Sequence, residues 1–160
     1  MSTISLAPDD YRFATDLRVR LSETDAVGIV YFGSFATYFD VGRMDYLNHL
    51  GLHTFDGPVR DLIPGVVVHQ EAHFHAPAHY HDDLQIHVRI AELGRTSYTF
   101  HLLATHRSTR RLLASGSISL VWLDANFAPT PLPERFRMCA REFEGQDLVE
   151  RGARAPAVHR

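Results

Sequence analysis

The spacing of apolar residues changes period once along the chain, from strand-like to helical, and then returns to strands. In YRFATDLRVR, from Tyr11 to Arg20, Phe13, Thr15, Leu17 and Val19 fall on alternate positions, the period of a half-buried strand. In SFATYFDVGRMDYLNHLG the apolar or small residues Phe35, Phe39, Gly42, Tyr46 and Leu50 recur at steps of four, three, four and four, which is one face of a helix. Ser34 suits the N-cap and Gly51 the C′ position, so both helix ends are marked. Gly42 costs roughly 1 kcal/mol in helix propensity on this buried face, a cost that makes sense where a backbone or ligand comes close. The helix is therefore expected to lie tight on a sheet.

A turn-rich stretch, HTFDGPVRDLIPG, leads to four further strand segments: Val66 to Ala76, Leu84 to Leu93, Ser97 to Arg107 and Arg111 to Leu123. Short turns, PAHYHDD, LGRT and RSTR, join them, so consecutive strands are expected to pair antiparallel. The pattern predicts an α+β domain, a curved five-stranded antiparallel sheet wrapped on one long helix. APTPLPERF ends the sheet, Glu134 to Phe143 reads as a short helix, and the tail GARAPAVHR has little pattern. No repeat or second domain is visible, so residues 1–160 read as one domain with a core from about 11 to 133 and a C-terminal segment from 134 to 160.

Composition narrows the function. With 45% hydrophobic and 22% charged residues, the chain has the make-up of an ordinary globular domain. A net charge of -3 argues against nucleic acid or an anionic membrane as partner. The single cysteine, Cys139, excludes an intrachain disulfide and fits a reducing cytoplasm. The N-terminus lacks a signal-peptide pattern and no apolar run is long enough to span a bilayer, so a cytoplasmic, soluble protein is expected.

The richest chemistry lies in ETDAVGIVYFGSF, between the first strand and the helix. Amide N–H groups at a helix start lack intrahelical partners and sit in positive potential. A carbonyl placed over the N–H groups around Tyr31 and Phe32 would have its oxyanion stabilised, an effect of roughly 3 kcal/mol per donor. Asp25, in the turn upstream, would act as nucleophile or as general base for water, with Ile29 to Phe32 as a dry wall. The plainer reading makes Asp25 a turn residue with an Asx hydrogen bond and Val30 to Phe32 ordinary core.

VRLSETDAVGIVYFGSFATYFDVGRMDYLNHLGL, Val19 to Leu52, resembles the opening of the 4-hydroxybenzoyl-CoA thioesterase family of hotdog-fold acyl-CoA thioesterases. HAPAHYHDDLQI, LGRTSYTF and GSISLVWLD follow in the family's order, so the resemblance runs from about Tyr11 to Pro133. It implies hydrolysis of a small, aromatic acyl-CoA, with coenzyme A as part of the substrate and no separate cofactor. Asp25 is then the catalytic carboxylate, Gly28 shapes the turn, and the Phe32 N–H polarises the thioester carbonyl beside Tyr31. Asp40 matches an acidic helix position that faces the acyl group's hydroxyl, and Arg95 matches a basic turn that helps hold the nucleotide. The resemblance also implies a homodimer or homotetramer with the site between subunits. Three departures stand out: Phe32 where many members have histidine, Glu23 in place of an aspartate, and a PAHYHDD turn one residue longer.

His69, Glu71, His73 and His75 share strand parity, with His79 and His81 just beyond, which opens a metal reading beside that of a polar strand face; no metal is assigned. Arg107, Arg110 and Arg111 read as a solvated hairpin tip, and Trp122 and Cys139 as packing and an inert thiol. No serine elbow, P-loop or dinucleotide fingerprint is present. A hotdog hydratase would place a histidine at or before the helix, and none occurs from Val27 to Asp45. A non-catalytic acyl-CoA-binding or assembly module remains the rival outside enzymes.

Overall fold

The computed structural model of the chain describes residues 3–52 and 65–152. Most of the turn-rich stretch, residues 53–64, and most of the C-terminal tail, 153–160, lie outside the described residues. The elements are β1 (Phe13–Arg18), α1 (Ser34–His49), β2 (Val66–Phe74), β3 (Asp83–Leu93), β4 (Ser97–His106), β5 (Leu112–Val121), α2 (Glu134–Glu144) and β6 (Val149–Glu150). The strand order is β1-β3-β4-β5-β2, each neighbour antiparallel, as the hairpin-length turns predict.

Three details depart from the sequence pattern. The first strand covers six residues rather than ten, because Tyr11 leaves the sheet to pack edge-on to His87, 6.1 Å between centroids. A sixth strand, β6, runs parallel beside the far end of β3, pairing Val149 with Glu92 and Glu150 with Leu93. Ion pairs from Glu150 to Arg141 and Arg137, and an Arg151 N–H bond to the Leu93 carbonyl at 2.8 Å, hold it there, so it leaves no apolar period to read. Ser34 is the first helical residue and not the cap; its Oγ donates to the Glu23 carbonyl at 3.2 Å and ties the helix to the loop before it. The other helix end is as expected: Gly51 N–H bonds Asn48 O and Leu52 N–H bonds Leu47 O, both at 2.9 Å, the Schellman arrangement.

The buried face of α1 presents Phe35, Tyr38, Phe39, Gly42, Tyr46 and Leu47 to the sheet, with one charged residue, Arg43, among them. A methyl added at Gly42 would stand 2.6 Å from Ile86 Cγ2 and 3.0 Å from Val88 Cγ2, so the helix rests on β3 as closely as the sequence predicts. α2 packs Phe136 on Tyr98 and Trp122, ring centroids 4.7 and 5.4 Å apart. Its last residue, Glu144, is buried and accepts from the Tyr46 hydroxyl and from the Ile90 N–H at 3.1 Å. Among the described residues no helix is long and apolar enough to cross a membrane.

Candidate active site

The loop before α1 closes on itself. Asp25 N–H donates to the Ile29 carbonyl at 2.9 Å and Gly28 N–H to the Asp25 carbonyl at 3.0 Å, flanked by a bridge between Thr24 and Val30. Gly28 turns the chain at φ 87°, a left-handed conformation that any side chain would strain although the space around it is open. Asp25 Oδ1 accepts the Val27 N–H at 2.8 Å, which is the Asx bond of the plainer reading. Its Oδ2 has no partner among the described residues. One carboxylate oxygen therefore fixes the side chain, and the other is left for chemistry.

The two amides at the helix start differ. Tyr31 N–H is taken up by the Glu23 carbonyl at 2.9 Å, whereas Phe32 N–H donates to no described residue. Phe32 therefore keeps its hydrogen available, as does the following Gly33 N–H, which has no acceptor among the described residues either. The position of Phe32 is fixed from both sides: Val30 N–H bonds the Ala78 carbonyl at 2.8 Å, and Arg111 Nη2 bonds the neighbouring Pro77 carbonyl at 3.0 Å. Arg111 thus braces the segment under the loop, a task that its place in a hairpin tip does not reveal.

Glu23 is the larger omission from the sequence reading, where it figures only as a departure. Its carboxylate accepts from Arg20 N–H at 2.9 Å, Arg20 Nε at 2.8 Å and the Tyr38 hydroxyl at 2.7 Å, while its carbonyl receives Tyr31 and Ser34. Burial pushes the Glu23 carboxyl up, but the Arg20 and Tyr38 hydrogen bonds outweigh it and hold it below the usual range. The three-residue spacing of Arg20 and Glu23 around a short turn is the local signal that marks it.

The apolar wall is incomplete within one chain. Val30 is buried, but Phe32 is 63% exposed and Tyr31 and Val27 are exposed too. Tyr31 packs on Phe32 at 4.5 Å, and Phe32 and Phe35 meet Phe74 at 6.4 and 5.5 Å, linking the helix start to the end of β2. Asp40, on α1, pairs through Oδ1 with Arg43, at 2.7 Å from Nε and 2.6 Å from Nη2.

Arg95 stands apart from this group. It lies in the β3–β4 turn, whereas the loop that holds Asp25 bridges His79 just before β3 begins, so about 30 Å of strand separates them at 3.3 Å per residue. Its carbonyl receives Leu132 N–H at 3.0 Å and Arg137 Nη2 at 3.1 Å, and its side chain is exposed. A single chain does not bring Arg95 and Asp25 to one ligand.

The histidines are spread as well. His73 Nε2 lies 3.8 Å from Glu71 Oε2, Glu71 Oε1 accepts from Ser117, and His75 Nε2 shares a hydrogen with Ser115 Oγ at 2.9 Å. Among the described residues no three histidine, cysteine or acidic side chains gather as a metal site. The tip arginines pair with the N-terminal half: Arg107 with Asp16 at 3.3 Å and Arg110 with Asp9 at 2.6 Å.

Residues 27–112, more than half the chain, match the family described as the Thioesterase superfamily. The chain belongs to this superfamily. Thioester hydrolysis is the chemistry of that membership, and the hotdog fold its architecture. A protein of Aquifex aeolicus named as an esterase is 31% identical over 84 residues, 52% of this chain and 64% of that protein, so this match spans less than two thirds of its length. The acyl-CoA thioester hydrolase YbgC of Escherichia coli is 27% identical over 125 residues, 76% of this chain and 90% of its own. A Thermus thermophilus thioesterase solved with coenzyme A and zinc superposes with TM-score 0.75 at 28% identity, covering 86% of this chain and 98% of that one. A gentisyl-coenzyme A thioesterase structure gives TM-score 0.67 at 27% identity over 78% of this chain and 99% of that one.

Proposed function

We propose that this superfamily member hydrolyses the thioester of a small aromatic acyl-CoA to the free acid and coenzyme A. The observation that carries the reading is one closed loop presenting an anchored carboxylate with a free oxygen, Asp25 Oδ2, and an undonated amide, Phe32 N–H. The amide polarises the thioester carbonyl and stabilises its oxyanion, helped by the helix dipole. Asp25 either attacks the carbonyl carbon, giving an anhydride that water opens, or takes a proton from attacking water. In both routes the carbon–sulfur bond breaks and coenzyme A leaves as thiolate, which is then protonated. Support for an aromatic acyl group comes from the cluster of Phe32, Phe35 and Phe74 beside the loop and from the gentisyl-coenzyme A thioesterase among the similar structures.

The proposal includes a second copy of the chain. β2 is an edge strand whose Val66, Val67, Val68 and Phe74 are exposed, continuous with the exposed Tyr31 and Phe32. A bare apolar edge is a pairing surface, and a two-fold pairing of β2 with β2 covers it while completing the wall around the loop. In such a dimer, binding of the nucleotide by Arg95 falls to a protomer other than the one supplying Asp25.

Thiol release from benzoyl-CoA, 4-hydroxybenzoyl-CoA and short aliphatic acyl-CoAs tests the reading. The expected result is turnover with kcat/KM at least tenfold higher on an aromatic thioester. Tight binding of all thioesters without thiol release would overturn it in favour of an acyl-CoA-binding module, and a preference for aliphatic chains would overturn the aromatic assignment.

A further inference from the structure

Glu23 is tied to the start of α1 by both its main chain and its side chain. Its carbonyl accepts the Tyr31 N–H at 2.9 Å and the Ser34 hydroxyl at 3.2 Å, and its carboxylate oxygen Oε2 accepts the Tyr38 hydroxyl at 2.7 Å. The three partners fall at steps of three and four, one face of the helix and of the turn that leads into it. Oε2 also accepts the Arg20 N–H at 2.9 Å, which closes the short turn Leu21–Glu23 and fixes the carboxylate from behind. The Glu23 side chain is 11% exposed and Tyr38 is buried, so these bonds are shielded from water. The Arg20 guanidinium, 72% exposed, is solvated and adds little to the hold.

These bonds surround the peptide unit that carries the Phe32 N–H. That N–H and the Tyr31 carbonyl belong to one planar trans unit, in which the two groups point in opposite directions. The Tyr31 carbonyl accepts the Ser34 N–H at 2.8 Å, so the direction of the Phe32 N–H follows from where Ser34 stands. Ser34 and Tyr31 are both fastened to the Glu23 carbonyl, which closes a ring from Glu23 to Tyr31, across the peptide to Ser34, and back to Glu23. The bond from Oε2 to Tyr38 holds the ring against the helix one turn further on. Asp25 has separate bonds, its N–H to the Ile29 carbonyl and its Oδ1 to the Val27 N–H. The ring thus fixes the amide without fixing the carboxylate.

We infer that Glu23 is a positioning residue for thioester hydrolysis, a clip that aims the Phe32 N–H at the thioester oxygen, with Tyr38 as its anchor on the helix. The clip rests on the thioesterase reading for what that amide does. Glu23 acts through Tyr31 and Ser34 and needs no contact with the substrate. Aim matters because a reacting group misplaced by about 1 Å can cost on the order of a hundredfold in rate. Negative charge on the oxygen develops only as the tetrahedral centre forms, so a loosened clip weakens the transition state more than the bound thioester. The device needs an acceptor at the Oε2 position; a negative charge is not required, since Tyr38 and Arg20 N–H bond that one oxygen.

Thiol release from the thioester that the full native chain turns over fastest, with the melting temperature recorded for each variant, tests the clip. Tyr38→Phe is expected to lower kcat by about tenfold or more while KM stays within about twofold, and Glu23→Ala to lower kcat at least as far. Glu23→Gln is expected to keep kcat within about threefold of native, because an amide oxygen at the Oε2 position still takes both hydrogens. As the two residues form one device, Glu23→Ala with Tyr38→Phe should be no more than about twofold worse than the worse single variant. A bond that serves the fold alone would lower the melting temperature and leave kcat of the folded chain unchanged. That result in Tyr38→Phe, or a rise in KM with kcat unchanged, would overturn the clip. So would a loss in Glu23→Gln as large as in Glu23→Ala. Tyr38→Phe keeps the buried ring and decides the matter should Glu23→Ala fail to fold. Native thiol release untouched by Tyr38→Phe would remove the clip and leave the thioesterase reading, whereas no thiol release by the native chain would remove both.

Discussion

The two flanks of α1 are built for different purposes. On the β1 and β3 side Gly42 sits on Ile86 and Val88, Asp45 is tied to Thr15, and Tyr46 is locked to the buried Glu144. On the β2 side Phe32 and Phe74 stand exposed, Arg43 carries an unpaired nitrogen, and Asp25 and Asp40 each keep a free carboxylate oxygen. Satisfied groups hold the fold, and the open flank carries the groups on which the proposed thioester site and the proposed β2 pairing rest. The expected consequence is a separation of effects, with changes on the closed flank moving stability and changes on the open flank moving binding and turnover.

The largest effect on stability is expected from Gly42→Val. Its side chain must push into the methyl groups of Ile86 and Val88, costing about 3 kcal/mol by overpacking, read from urea unfolding. Tyr46→Phe removes one hydrogen bond to buried Glu144 and is expected to cost about 2 kcal/mol in the same measurement. Next comes pH. Burial, with the charge of Arg89, pushes the His101 imidazole down to about 4, and burial lowers His87 as well.

A histidine depressed in the folded state costs nothing while both states are neutral. As pH falls below about 6.5 the unfolded chain binds the proton first, and stability is lost until the folded group titrates too. Glu144, raised chiefly by burial, works the other way, losing stability as pH rises above the ordinary glutamate range. The melting temperature should therefore fall from pH 6.5 towards pH 4, and fall less in His101→Gln. An equal fall in that variant would remove His101 as the cause. The smallest effect belongs to the open flank: Phe32→Ser, at a 63% exposed position, should change monomer stability by less than about 0.5 kcal/mol while weakening dimer formation in sedimentation.

The closed flank is the part of the molecule that is legible in the sequence. Helical period, the Gly51 end and the unusual Gly42 are local signals, and they predict a helix pressed on a sheet. The turn at Asp25 is legible for the same reason, since Asx bonding and a left-handed glycine are features of a few adjacent residues. What is not legible depends on distance through the fold. The separation of Arg95 from Asp25 follows from the eleven-residue length of β3. The burial of Arg43 depends on which flank of the helix the sheet covers. The loss of the Tyr31 amide to Glu23 depends on how the short turn before the loop folds back.

The most direct measurement is kcat/KM for Asp25→Asn on the best thioester, with its melting temperature recorded beside it. The asparagine carbonyl can still accept the Val27 N–H, so the turn is expected to stand and the melting temperature to stay at the native value. The free oxygen becomes an amide nitrogen that can neither attack nor take up a proton, and a fall in kcat/KM by a factor of roughly a hundred or more is expected. Native turnover by the folded variant would contradict a chemical role for Asp25 and return it to an ordinary turn residue.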